Sequence, residues 1–204
     1  MAGAGYKDFT AGDVFTAAQV DQYLMEQSTM VFATAAARDA ALTTVKAEGM
    51  MAYLSDAPNR LTYYDGSAWV NVWSDWAAFT PAWTNLTVGA GTNTGEYCYT
   101  PGGMWVRGQW QFGAGAAVGT SPVMTLPNSE TLRDAVTQPM GRTQLLDNTG
   151  SQYLADIWYA SSTTVGFGVV TLGGTYAYWS AITASVPMTW ATDDEIVFQF
   201  FVPL

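Results

Sequence analysis

The sequence predicts a mainly β protein, in which an N-terminal arm, short helices and a small β-meander precede a β-sandwich of jelly-roll type. Three observations predict it. Only 12% of the 204 residues are charged, about half the usual share, and glycine, hydroxylic and aromatic residues fill the gap. Beyond residue 78, short runs alternate with Gly, Pro, Asn and Ser clusters at a spacing of roughly 8–12 residues, as in sandwiches and barrels. Along 104–112, Trp105, Arg107, Gln109 and Gln111 alternate with Val106, Gly108, Trp110 and Phe112, the period-two pattern of a strand with one buried face.

In chain order, residues 1–15 read as an extended arm. Met1-Ala2-Gly3-Ala4-Gly5 has too little apolar surface to fold alone, and Tyr6 and Phe9 can pack only on something else. Thr16-Ala17-Ala18-Gln19 matches a capping box, with Thr16 as N-cap and Gln19 at the third helical position. Val20, Tyr23, Leu24 and Gln27 follow at helical spacing, and Val31 extends the stripe if the helix continues. So narrow a stripe suits a helix that docks on a neighbour. The spacing predicts a second helix over 34–42. Its alanines favour helix but bury almost nothing, so it either packs closely on another backbone or stands as an exposed spacer.

A meander is expected next, with strands at 49–54, 60–64 and 68–72 and an Asp65-Gly66 hairpin turn. Three strands are marginal alone, so the meander needs other elements or other subunits. The pattern loses its period over 73–78, which divides the chain into an attachment and oligomerisation region, 1–78, and a sandwich, 79–204. Strands are expected at 82–88, 96–99, 104–112, 123–126, 138–146, 153–159, 165–172, 176–182 and 195–202. Pro101-Gly102-Gly103, Asp147-Asn148-Thr149-Gly150 and Gly173-Gly174 supply turns. Gly113 to Gly119 precedes no helix and reads as a hairpin loop.

Charge and composition exclude several functions. The net charge is −10 with seven Lys plus Arg, too few for a phosphate-binding face, so neither nucleic acid nor an anionic membrane is an expected partner. No run approaches a membrane span, and no charged segment followed by an apolar core opens the sequence as a secretory signal would. There is no histidine, which removes histidine-based triads and zinc sites, and no phosphate-binding glycine motif. The one cysteine, Cys98, excludes an internal disulfide and reads as a small buried hydrophobe. Asp193-Asp194-Glu195 is the densest acidic cluster, and three adjacent acids before a strand read as a solvated turn rather than a catalytic pair or calcium site. No catalytic residue, metal or cofactor is expected.

The front third carries a resemblance. Lys7-Asp8-Phe9-Thr10-Ala11-Gly12-Asp13-Val14-Phe15-Thr16-Ala17-Ala18-Gln19-Val20 is followed by Tyr23-Leu24-Met25, Met30-Val31-Phe32-Ala33 and Ala36-Ala37-Arg38-Asp39-Ala40-Ala41. Glu48-Gly49-Met50 and Tyr64-Asp65-Gly66-Ser67-Ala68-Trp69-Val70 complete it. In this order and spacing the segment resembles the opening of tailed-bacteriophage minor tail, tail-fibre and head-fibre proteins. From Phe79-Thr80-Pro81 onward the chain is similar in texture to the β-rich tips attached to such openings. The resemblance implies a structural component of the virion, made in the host cytoplasm and commonly a homotrimer. Its N-terminal region would dock on other virion proteins while the tip contacts the host surface. Tail and capsid positions both fit, the latter as a purely structural head fibre or decoration protein. A carbohydrate-active enzyme using carboxylates from separate strands is the remote alternative.

Interface and anchor positions expected on this basis are Tyr6, Phe9, Val20, Tyr23, Leu24, Trp69, Trp73 and Trp76. The three tryptophans either form a collar where chains meet or plug the meander onto the β-domain. Six of the nine tryptophans lie beyond residue 78. Any one of them reads first as core or interface, and then as a platform for a host glycan. Tyr176, Tyr178 and Trp179 beside the Gly173-Gly174 turn, with Trp158 and Tyr159 beside the 161–164 hairpin, are the candidates for an exposed receptor patch.

Overall fold

A computed structural model describes residues 10–56, 58–133, 139–173 and 175–204. The expected arm residues Tyr6 and Phe9, the start of the 138–146 strand and Gly174 of the expected turn lie outside them. The fold is mainly β, as the patterning predicts, and the chain forms two compact units. One runs to Asp75 and includes Tyr99–Pro101; the other comprises Trp76–Cys98 and Gly102–Leu204. Among the described residues no helix is long and apolar enough to cross a membrane.

In the first unit the capping box forms as expected. Thr16 Oγ1 accepts from the Gln19 backbone N–H, and the Gln19 side chain accepts from the Thr16 N–H. Helix α1 (Ala17–Val20) passes directly into a π-helical turn, Asp21–Met25. The helix does not continue to Val31. Thr29–Phe32 is instead strand β1, since Thr, Val and Phe favour extended backbone and Ser28 closes the helical end on the Met25 carbonyl. Helix α2 (Ala35–Ala41), capped by the Thr34 hydroxyl, leads to β2 (Met51–Leu54), which pairs parallel with β1. Strands β3 (Arg60–Tyr64) and β4 (Trp69–Ser74) complete an antiparallel run, so the expected three-stranded meander is part of a four-stranded sheet in the order β1-β2-β3-β4.

Helix α2 is neither an exposed spacer nor a close-packed one. Its alanines are mostly exposed, while Arg38 is buried at 5% relative accessibility and carries the docking. The Arg38 guanidinium lies over the Trp69 ring at 4.3 Å, donates to Thr62 Oγ1 at 3.2 Å and meets Asp39 Oδ1 at 3.0 Å. Thr62 in turn donates to the Ala52 carbonyl. One long side chain thus joins the helix to three strands.

The second unit holds β5 (Ala77–Phe79), β6 (Ala82–Thr87), β7 (Asn93–Thr100), β8 (Gly103–Gln111) and β9 (Ala117–Thr125). They are followed by β10 (Gly141–Leu146), β11 (Gln152–Ser161), β12 (Thr164–Gly173), β13 (Tyr176–Ala181) and β14 (Glu195–Pro203). Strand β5, three residues in the segment without period, was not expected; it exists because β7 supplies its partner. All ten strands form one curled sheet, ordered β5-β7-β8-β14-β10-β11-β12-β9-β6, with β13 beside the far half of β12. The curl brings Trp83 of β6 to Phe167 of β12 and Phe198 of β14, at 5.2 and 6.3 Å between ring centres. Trp110, Phe200, Met104, Met124, Leu145 and Ile157 are among the fully buried interior residues.

Arg38→Ala is expected to lower the stability of the first unit by about 2 kcal/mol, since it removes stacked area and a buried charge-assisted hydrogen bond. Arg38→Lys should recover no more than about half, because an ammonium cannot stack flat on Trp69 while reaching Thr62. Hydrogen exchange at the β2 and β3 amides, compared with β8, measures this loss locally.

Candidate functional site

The first unit leaves much apolar surface open. Val14, Leu24, Met25 and Val31 are 50% exposed or more, and Phe15, Val45, Met51, Tyr63 and Trp73 exceed a third. Helix α1 buries no residue at all. Of the expected anchor residues, Leu24 is exposed and Val20 and Tyr23 are half-buried. The three tryptophans at the boundary have separate surroundings. Trp69 packs between Arg38 and the Tyr64 ring, 5.4 Å away, and its buried Nε1 has no partner among the described residues. Trp73 is 42% exposed and tilts towards Tyr53. Trp76 belongs to the second unit, where the Arg107 guanidinium covers its ring at 4.1 Å.

The candidate receptor residues divide between the two faces of β11, β12 and β13. Side chains alternate along a strand, and Trp158 opposes Gly166 while Trp179 opposes Val170, so both tryptophans stand on the outward face. They meet edge-to-face at 5.1 Å. Tyr159, opposite Val165, and Tyr178, opposite Thr171, stand on the other face with Tyr176. Tyr176 is 79% and Tyr178 55% exposed, because the β12–β13 hairpin runs past the core there. Glycine makes the tryptophan placement possible. A Cβ on Gly168 would fall 2.0 Å from Trp179 Cζ2, and one on Gly166 2.5 Å from Trp158 Cε2.

The same outward face carries a groove of about 830 Å³ across β7, β8, β14, β10 and β11. Register builds it in two rows. Gln199 pairs with both Arg107 and Arg142, and Arg142 with Asp156; one pleat along, Val197 pairs with both Gln109 and Gln144. Arg107 is committed, donating to Glu96 Oε2 at 2.7 Å while stacked on Trp76. Among the described residues the Arg142 side chain forms no ion pair or hydrogen bond. Trp105 stands at one end of the groove with Phe201 against it at 5.5 Å. Leu154, 69% exposed, edges the other end. Only Trp105, Arg107 and Gln109 were visible in the sequence as an alternating set. Gln144, Gln199 and Arg142 lie far from them in the chain, and nothing short of strand register unites them.

The acidic cluster is not a solvated turn throughout. Asp194 is buried, its carboxylate accepting from the Asn148 N–H at 2.9 Å and the Ala191 N–H at 2.6 Å, so it ties two turns together. Its carboxylate supplies the acceptor that two partly buried turn amides need. Among the described residues no three His, Cys, Asp or Glu side chains are placed to hold a metal. Cys98 is buried in β7, and burial pushes its thiol up. Comparison with known proteins adds no relative: no family model, no curated protein and no solved structure matches the chain.

Asp194→Ala is expected to cost about 2 kcal/mol in urea unfolding, since it removes a buried carboxylate that accepts from two partly buried amides. Two exposed turn carboxylates set an acid response. Backbone donors from Ala68 and then Ser67 hold Asp65 below its ordinary 3.8, and the hydroxyl and backbone of Thr149 do the same for Asp147. Their stabilisation is complete above 3.8 and disappears as pH falls through the lowered values. The double variant Asp65→Asn/Asp147→Asn should therefore show a shallower loss of thermal stability below that pH than the parent.

Proposed function

We propose that the chain is a non-enzymatic structural protein of a bacterial-virus particle, a tail-associated fibre or minor tail component that attaches to the host surface. The observation that carries this reading is the open apolar surface of the first unit. A capped helix that buries nothing, in a unit where nine large apolar side chains among the described residues are more than a third exposed, describes half of an interface. The resemblance of this segment to tailed-phage openings gives the interface its partners: sister chains in a homotrimer, and other virion proteins. The second unit has a well-packed interior of its own and presents its outward face for binding. Three tips on one particle component multiply weak contacts, since the second and third engagements are effectively intramolecular. The particle is the place of action, with synthesis in the host cytoplasm.

Light scattering on the full chain tests the assembly. The expected mass at micromolar concentration is three times the 21.9 kDa of one chain. The double variant Leu24→Glu/Val31→Glu should return the mass to that of one chain while the second unit keeps its cooperative unfolding. A parent chain that stays monomeric removes the foundation of the proposal.

A further inference from the structure

We propose that the groove across β7, β8, β14, β10 and β11 binds an uncharged oligosaccharide. The amides of Gln109, Gln144 and Gln199 and the guanidinium of Arg142 would meet its hydroxyls, and Val197 with Leu154 its apolar ring faces. The inference rests on the attachment reading and deepens it by assigning the contact site and the ligand class.

The chemistry points this way on four counts. Gln109 and Gln199 offer both donors and an acceptor, and Gln144, whose Nε2 donates to Gln152 Oε1 at 2.6 Å, keeps its acceptor oxygen; a sugar hydroxyl needs both kinds of group. The register places Gln199 and Arg142 on adjacent strands in one row, and Gln144 beside Val197 in the next. In the second row Gln109, Val197, Gln144 and Leu154 alternate polar and apolar at about the 4.8 Å strand spacing. The first row, Arg107, Gln199, Arg142 and Asp156, is polar throughout, so hydroxyl partners lie beside a surface for a ring face. The groove is open along its length, and its volume of about 830 Å³ gives room for a few sugar rings to lie in it. Finally, the charges select against anions. Glu96 is bonded to Arg107, Asp156 stands opposite Arg142 in the same row, and the chain carries −10 overall. An acidic glycan or a nucleic acid would meet no net positive field here.

Arg142 is the informative residue. A guanidinium without a partner among the described residues, between a glutamine and a carboxylate, can bridge two neighbouring hydroxyls. The apolar shelf of Leu154 and Val170 continues the groove towards Trp179, which gives a longer chain somewhere to lie.

The test uses the full chain and an immobilised panel of oligosaccharides of three to six rings. The neutral members contain glucose, galactose, rhamnose and N-acetylhexosamines; the acidic members carry uronate, sulfate or phosphate. At least one neutral glycan should be retained. Arg142→Ala and the double variant Gln144→Ala/Gln199→Ala should each weaken it by about tenfold or more, the equivalent of one or two hydrogen bonds. Tyr176→Ala/Tyr178→Ala should leave it unchanged, and matched thermal unfolding establishes that each variant is folded. Retention of acidic glycans alone, of no glycan, or of neutral glycans equally by the folded groove variants overturns the assignment. Binding to host cells by a chain that captures no sugar would sink this inference and leave the attachment reading standing. Sugar capture without cell binding would do the reverse.

Discussion

Strand β14 runs through the middle of the larger sheet, and the rings on its inner side hold that sheet in its curl. Phe198 lies 6.3 Å from both Trp83 and Phe167 and 6.2 Å from Phe200, so β6 at one end of the sheet order and β12 meet the central strand on one side chain. Aromatic pairs at these separations each add about 0.5–1.5 kcal/mol beyond the area they remove from water. The polar ends of the rings are accommodated too: Trp83 Nε1 donates to Asn93 Oδ1, and Trp110 Nε1 to the Val88 carbonyl. The outward residues of the same strand, Val197 and Gln199, take their positions from this packing. A strand whose inner rings cannot shift cannot slip its register, and the groove rows depend on register alone.

The smaller unit is stabilised differently. Its buried apolar residues are few, among them Leu42, Ala47, Met50, Ala52 and Leu54, and a stacked guanidinium occupies the place that a large hydrophobe takes elsewhere. A buried Arg is a specific fastener but a weak source of stability, because its desolvation offsets much of what its contacts contribute. This economy agrees with a unit that is completed by association, in which apolar surface is kept for neighbours.

Legibility in the sequence followed the range of the interactions. Period two in β8, the Asp65-Gly66 and Asp147–Gly150 turns and the Thr16 capping box are all settled by neighbours within a few residues, and most strands of the larger sheet fall close to where alternation and turn residues place them. Strand β9 is the exception, beginning at Ala117 inside the expected 113–119 loop because β6 supplies the partner for Ala117 and Val118. Strand β1 was missed because Val31 continues a helical spacing, whereas its conformation comes from pairing with Met51–Leu54, some twenty residues on. Strand β5 needed β7 in the same way. Alanines in α2 are silent about docking, since the contact rests on the single long side chain among them. The groove was invisible for a related reason: Arg107, Arg142 and Gln199 belong to three strands, and no local pattern marks them as companions. The buried state of Asp194 likewise depends on the Asn148 amide, which only the fold brings near.

Gly166 and Gly168 reverse the usual geography of mutational tolerance. Alternation puts their missing side chains on the outside of the sheet, where most proteins accept nearly any residue. Here the indoles of Trp158 and Trp179 occupy that space, closer to the backbone than a methyl group would permit. Even alanine at position 168 must therefore evict Trp179 and break its edge contact with Trp158, uncovering strand backbone beneath. A saturation scan would find its least forgiving outer-face sites in residues that have no side chain to lose, and evolution can reshape the neighbouring surface only around that fixed pair of rings.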